Sequence, residues 1–429
     1  MSSRSNRLCQ GYGGPPKPRV KAEDLRYDRQ LMPKLSIVDL DLRGRRVFVR
    51  VDFNVPLKDG RIVDDTRIQS SVPTIKHALD QGAAVVVVAS HLGRPKGKPN
   101  PQLSLKPVAA RLGELLGREI AFAADCVGHD AKTAVDKIAK GGVVLLENLR
   151  FHPEEEKNDP QFSAALASLA ELYVNDAFGA AHRAHASVEG ITHHFPQAAA
   201  GLLMERELKY LGHVLEAPER PFVAILGGAK VSDKLDVIDN LLGKVDRLLI
   251  GGAMAYTFFK ARGVPIGKSL VEDDKLDAAR AFAGDAAARG VGLELPVDHI
   301  VATAVEQGAA SETLEVGDPR IGDRFGVDIG PATIKAYEAS IRAAKNVVWN
   351  GPMGVFEIDA FAAGTNAVAR AVAAVHGTTI VGGGDSISAL NKSGVAERIT
   401  HISTGGGASL EFLGGRTLPG VAALTDKET

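Results

Sequence analysis

At four places, arginine, histidine and asparagine stand just beyond a short run of β-branched residues. Arg50, Asp52 and Asn54 follow the first run, with Arg67 shortly after. Ser90-His91-Leu92-Gly93-Arg94 follows the second, and Glu147-Asn148-Leu149-Arg150 the third. The fourth leads into Asn175-Asp176 and then His182-Arg183-Ala184-His185. Guanidinium forks pair bidentately with carboxylate and phosphate oxygens, so such a cluster suits a small, multiply anionic ligand. The competing reading is that individual arginines are spent on Asp52, Glu147 or Asp176.

Glycine replaces these basic tips in the second half. One run ends in Gly227-Gly228-Ala229-Lys230, with Ser232-Asp233-Lys234 next, and another in Gly251-Gly252-Ala253. A third ends in Gly382-Gly383-Gly384-Asp385-Ser386, and a further loop reads Ser403-Thr404-Gly405-Gly406-Gly407. A strand, a glycine turn and a helix N-terminus together offer free N–H groups and a positive dipole end to phosphates. Four such units in one half point to a nucleotide. Lys230 opposes the dipole of the helix it precedes, whereas Ser232 and Asp233 suit that position; a cation kept there reads as functional.

These tips need strands to hold them. The runs Arg46–Val51, Ala84–Ala89, Gly142–Leu146 and Glu171–Val174 predict the first set, and Phe222–Leu226, Arg247–Ile250, Asn346–Trp349 and Thr378–Val381 the second. Alternation with helical stretches predicts an α/β protein of two Rossmann-like domains, each a parallel sheet flanked by helices. Leu202–Leu215 has apolar residues at helical spacing and ends before Pro218 and Pro221, predicting an interdomain helix. The expected division is 32–201, with 411–429 packing back onto it, then 202–218 as the helix and 219–410 as the nucleotide domain. Ligands bind beyond the carboxyl ends of such strands, so two unlike sites face one cleft.

Composition narrows the class. Lys+Arg number 51 and Asp+Glu 52, a net charge of −1, which argues against nucleic acid as the main partner. Apolar residues at 45% and charged ones at 24% exclude wholesale disorder. No apolar run approaches the ~18–20 residues of a membrane span. Cys9 and Cys126 show no metal-ligand spacing and read as free thiols of a cytoplasmic protein. Residues 1–31 lack a signal-peptide core and are rich in Gly, Pro, Arg and Ser, predicting a disordered extension, with Met32 as an alternative start.

A basic anion site facing a nucleotide site proposes phosphoryl transfer across a closing cleft. No Ser-His-Asp set or kinase HRD loop is present. An acceptor that is already ionised, such as a carboxylate, needs no general base, so positioning and charge neutralisation suffice.

The motifs RVDFNVP (Arg50–Pro56), SHLGRP (Ser90–Pro95), LLENLRF (Leu145–Phe151), VNDAFGAAHRAHAS (Val174–Ser187), ILGGAKVSDK (Ile225–Lys234), WNGPMGVFE (Trp349–Glu357), IVGGGDS (Ile380–Ser386) and STGGGAS (Ser403–Ser409) resemble phosphoglycerate kinase, collinearly over about residues 34 to 425. The resemblance implies a monomer that transfers a phosphoryl group between Mg-ATP or Mg-ADP and 3-phosphoglycerate or 1,3-bisphosphoglycerate. It places the acid's carboxylate and hydroxyl near Asp52, Phe53 and Asn54, with Arg67 by the transferred group. His91, Leu92, Gly93, Arg94, Arg150 and Arg183 would hold the 3-phosphate end. Lys230 would follow the migrating phosphoryl, Lys234 would bind nucleotide phosphates, and Gly406 and Gly407 would assist the transition state through N–H groups. Asp385 would take Mg²⁺, with Gly383, Gly384 and Ser386 approaching the phosphates. Glu357 would hold the ribose, and Gly252, Gly326, Val327 and Pro352 would line the base pocket. Ala253 and His299 depart from common family patterns there and leave nucleotide preference open.

Two lures are set aside. Gly263–Ser269 mimics a phosphate loop, but it is one residue short and does not follow a strand. The pairs His182/His185 and His193/His194 suit anion binding or polar packing better than a metal. A dinucleotide oxidoreductase would need a GxGxxG turn with a later acid, which GGAKVS and GGGDSI lack. A binding protein on the same fold would have to have lost chemistry that the motifs retain.

Overall fold

A computed structural model describes residues 33–427. The extension 1–31, Met32 and Cys9 lie outside the described residues.

Six parallel strands form the first sheet: β1 (Arg46–Arg50), β2 (Val85–Ala89), β3 (Ala121–Phe122), β4 (Gly142–Leu145), β5 (Leu172–Asn175) and β6 (Ala198–Ala200), in the order β3-β4-β2-β1-β5-β6. Every residue of β2 is buried, and its side chains alternate between two cores: Val85 and Val87 on one face, Val86 and Val88 on the other. This is why the run is apolar without a break, since helices cover both sides. Strand order reverses between β1 and β5, and there the tips carry Asp52 and Asp176.

The second sheet repeats the scheme with β7 (Phe222–Leu226), β8 (Arg247–Ile250), β9 (Gly292–Glu294), β13 (Asn346–Asn350), β14 (Thr378–Gly382) and β15 (His401–Ser403). The order is β9-β8-β7-β13-β14-β15, all parallel, and the reversal falls between β7 and β13. All eight anticipated runs are strands, shifted by no more than a residue. The sequence reading missed β3, β6, β9 and β15, each two or three residues long, too short to show periodicity. It also missed an antiparallel sheet, β11-β10-β12, built from β10 (Asp298–Ala302), β11 (Ser311–Glu315) and β12 (Phe325–Ile329). That sheet carries His299, Gly326 and Val327 to the nucleotide side.

Six helices position the site: α1 (Thr66–Asp80), α2 (Leu202–Glu216), α3 (Leu235–Leu242), α4 (Met254–Ala261), α5 (Gly384–Ser393) and α6 (Gly407–Leu413). Helix α2 joins the two sheets. Asp176, at the tip of β5, accepts the Leu203 and Met204 N–H groups at 2.9 and 3.2 Å and so caps it. The chain then returns to the first lobe. Gly420 N donates to Ala181 O, Thr425 N to Ala198 O and Leu35 N to Thr425 O, all at 2.8–3.0 Å. Among the described residues no helix is long and apolar enough to cross a membrane.

Candidate active site

In the first lobe, Arg50 is not a ligand arm. It is fully buried, with Nε 2.7 Å from Ser187 Oγ, a bond to Val51 O and a contact to His91 Nδ1 at 3.3 Å. Ser187 in turn donates its N–H and Oγ to Glu155, which is also buried. A buried guanidinium needs such partners, and this one stiffens the floor of the site.

Above that floor lies Asp52. Its Oδ2 accepts from Arg67 Nη1 at 2.7 Å, and its Oδ1 accepts from Asn54 N at 3.1 Å. Burial pushes the Asp52 carboxyl up, but the positive charges of Arg67 and Arg50 and the Asn54 N–H oppose this and hold it below the usual range. Burial also drives His91 well below its ordinary value, so its ring is neutral. The ionised state of Asp52 therefore rests on the two guanidiniums. Arg67 sits in the first turn of α1, where a cation opposes the helix dipole, and Asp52 compensates it. The pairing foreseen as a competing reading is real here, yet Arg67 stays about one-third exposed (32% of its side chain) and faces the cleft.

Backbone and amide groups set the rest. Phe53 is buried and offers no side-chain contact; its N–H donates to Ser90 Oγ at 2.8 Å. Asn54 Oδ1 accepts from Gly93 N at 2.8 Å, and Asn148 Oδ1 accepts from Leu92 N at 3.1 Å. Arg150 is nearly buried, gives Nη1 to Gly93 O at 2.9 Å and lies 3.3 Å from Glu156. Arg94 and Arg183 are exposed and form no salt bridge among the described residues, though Arg183 Nε contacts His182 Nε2 at 3.1 Å. Burial, then Arg150, Arg50 and Arg183, lower His185 to about 3, so it too is neutral. The anticipated acceptors turn elsewhere: Glu147 holds Ser104 and Leu105, while Asp176 caps α2. Arg94 and Arg183 are thus left without a carboxylate partner among the described residues, while Arg150 pairs with Glu156 at the same rim.

The second lobe holds a cavity of about 270 Å³. Gly252, Ala253, Tyr256, His299, Gly326, Val327, Pro352, Glu357 and Asp385 line it, which brings the base and ribose candidates together. Tyr256 Oη lies 2.9 Å from His299 Nδ1 beneath the pocket, and a Cβ on Gly326 would meet Tyr256 Oη at 1.5 Å. Only glycine fits over that ring. Burial lowers His299 to about 4, leaving it neutral. Ser269, from the phosphate-loop mimic, accepts from Gly326 N at 2.9 Å and so serves as a brace.

Lys234 is buried and bonded to Asn350 Oδ1 at the tip of β13; burial lowers it to about 8, against the pull of Asp233 and Asp385. Lys230 is exposed and has no ion-pair partner among the described residues. The expectation that Ser232 would cap the following helix does not hold: its N and Oγ both go to Glu272, at 3.0 and 2.5 Å. Ser386 is wholly buried, and its hydroxyl accepts from Gly351 N at 2.7 Å. Gly383 precedes α5, with Gly384 and Asp385 exposed at its first turn.

A second cavity, about 260 Å³, spans the cleft. Val55, Pro56 and Arg67 line it from the first lobe, and Gly383, Gly384, Thr404 and Gly406 from the second. Gly406 has φ +55° with nothing within 4 Å of where a Cβ would stand, and Gly407 opens α6. Their N–H groups lie at the start of α6, where backbone donors have no intrahelical acceptor.

Sequence reasoning missed Glu207. It is wholly buried on α2, where Oε2 lies 2.8 Å from His401 Nε2 and Oε1 accepts from Thr404 N at 2.8 Å. A signal existed: Glu207 shares the helix face of Leu203, Leu211 and Val214, an acid in an apolar register.

The phosphoglycerate kinase family model matches residues 37–416. Phosphoglycerate kinase of Koribacter versatilis is 58% identical over 404 residues, covering 92% of this chain and all of that protein. That of Acidobacterium capsulatum is 60% identical over 405 residues, with the same coverage. Among solved structures, phosphoglycerate kinase from Coxiella burnetii aligns with a TM-score of 0.83 at 41% identity, covering 91% of this chain and 98% of that one. Fold, motifs in their order and full-length relatives agree: the chain belongs to the phosphoglycerate kinase family, kinases of glycolysis.

Proposed function

We propose that the cleft transfers a phosphoryl group between ATP, held by the second lobe, and the carboxylate of 3-phosphoglycerate, held by the first. The observation that carries this reading is the cleft cavity shared by Arg67 and Gly406, with a guanidinium rim on one side and a nucleotide-sized cavity on the other.

In the acyl-phosphate-forming direction, a carboxylate oxygen bonds to the γ-phosphorus as the bond to the β,γ-bridging oxygen breaks. ADP leaves with that electron pair, and no proton moves. Arg94, Arg150 and Arg183, with His91, hold the distal phosphate, while Asp52, Phe53 and Asn54 fix the reacting end and Leu92 and Gly93 shape the wall. Arg67, Lys230 and the N–H groups of Gly406 and Gly407 stabilise charge on the transferred group. Lys234, Gly383, Gly384 and the Ser386 N–H hold the nucleotide phosphates, and Glu357 the ribose beside Gly252, Gly326, Val327 and Pro352. Asp385 is an exposed carboxylate with no ion pair among the described residues, beside the phosphate loops, a hard oxygen donor that fits Mg²⁺ sharing its shell with phosphate and water. When bound, Mg²⁺ supplies charge neutralisation between the phosphates.

We assign residues 32–201 with 411–429 to the acid-binding domain, 202–218 to the joining helix and 219–410 to the nucleotide domain, in a cytoplasmic monomer. An assay with 3-phosphoglycerate, Mg²⁺ and ATP, coupled to NADH loss through glyceraldehyde-3-phosphate dehydrogenase, tests the activity. Turnover at tens per second is expected. Absence of turnover, with ATP still bound in calorimetry, would overturn it.

A further inference from the structure

Strands β3 and β4 run side by side, with Phe122 opposite Leu145, so the segments leaving their carboxyl ends emerge together. One carries Asp125 and Cys126; the other makes the turn Leu149–Phe151 and presents His152. A carboxylate oxygen, the Cys126 sulfur and a ring nitrogen of His152 all lie within 4.8 Å of one another, the one such grouping among the described residues. His152 Nε2 is 2.7 Å from Asp125 Oδ1, and Phe162 packs against the ring with centroids 5.3 Å apart. Nothing in the phosphoryl-transfer chemistry uses these three side chains.

We propose that Asp125, Cys126 and His152 form a binding site for a divalent transition-metal ion of the zinc type, with water as the fourth ligand. Thiolate, imidazole and carboxylate are together a borderline-soft donor set, which favours zinc over magnesium or calcium. Metal–ligand bonds of about 2.0–2.3 Å would place the three donor atoms about 3.5 Å apart, so closing the site takes side-chain shifts of about 1 Å. Access exists: Cys126 is fully buried, but the Asp125 and His152 side chains are 42% and 29% exposed. Arg150, two residues before His152, is committed to Gly93 O and Glu156.

Binding releases the thiol proton of Cys126 to solvent, and the imidazole binds neutral through Nε2 in place of its hydrogen bond to Asp125. The ion would pin the turn that carries Arg150 to the edge of the sheet.

The test uses the whole chain, stripped of metal and titrated with Co²⁺ and then Zn²⁺ in excess Mg²⁺. One equivalent should bind with a thiolate-to-cobalt charge-transfer band, with release of a proton, and Zn²⁺ should displace it. Cys126→Ala should abolish the band. His152→Gln should weaken binding by at least the ~10–100-fold that even outer-shell changes cost. Because a core substitution at Cys126 risks misfolding, the wild-type band and proton release are read first. Absence of the band in the wild-type chain, or equal uptake by folded Cys126→Ala, would overturn the site.

Discussion

Glu207 and His401 are 194 residues apart in sequence and 2.8 Å apart in space, the first on the joining helix and the second on the last strand of the nucleotide lobe. The same carboxylate holds Thr404, two residues before Gly406. Removing it would leave buried donors unpaired. Glu207→Ala is expected to cost about 1–3 kcal/mol in urea unfolding and to lower kcat more than it raises either KM; Glu207→Gln, which keeps an acceptor, should lose much less. Equal kcat in the two variants would refute the link from α2 to the Gly406 loop.

Arg67 faces the cleft while held by Asp52. Arg67→Ala should lower kcat by about 10³-fold with the fold intact by circular dichroism, since one preorganised charge at the transferred group is worth that much. An unchanged kcat would remove Arg67 from the transition state.

Lys230 is exposed and has no ion pair among the described residues, whereas Lys234 is buried against Asn350. Lys230→Ala should reduce turnover with little change in ATP affinity, and Lys234→Ala should weaken nucleotide binding first. Isothermal titration beside steady-state kinetics separates the two. Matching effects on both parameters would refute the division.

Burial lowers Lys234 to about 8 in the free protein. Its unfolded value is higher, so between about pH 8 and 10.5 the unfolded chain carries the extra proton, and this group's contribution to stability rises with pH across that window. Binding runs the other way, because phosphates need the ammonium form. ADP affinity should fall above about pH 8, with proton uptake on binding seen in buffers of different ionisation enthalpy. Lys234→Met should flatten the profile.

Gly326→Ala would drive a methyl into the Tyr256 ring. Overpacking of this kind costs about 1–3 kcal/mol, and loss of nucleotide affinity should exceed any change in the acid's KM. Adding Tyr256→Leu should restore part of the affinity; no recovery would place the clash elsewhere.

The eight long strands were legible because the middle of each is a run of buried apolar residues, with polar residues kept to the ends. The tips were legible because Arg94 and Arg183 stand at strand ends with no carboxylate partner among the described residues. What escaped was of two kinds. Strands such as Ala198–Ala200 are too short to carry a period, and the antiparallel strands DHIVA and SETLE show neither a continuous apolar run nor a clean alternation. The other kind is pairing across the chain: nothing near Glu207 names His401, and nothing near Gly326 names Tyr256. Ser232 belongs to the same kind, since local rules for a helix start do not see Glu272 arriving from elsewhere.

The return of residues 419–427 to the first lobe has a consequence for how the molecule is made. The edge strand Ala198–Ala200 receives the Thr425 N–H, and Leu35 donates to the Thr425 carbonyl, only after some two hundred intervening residues have been synthesised. A nascent chain can build the second lobe as a continuous unit as it emerges. The first lobe, begun earlier, cannot make these hydrogen bonds until residues 419–427 have been synthesised after the second lobe, which reverses the usual order in which tandem domains mature.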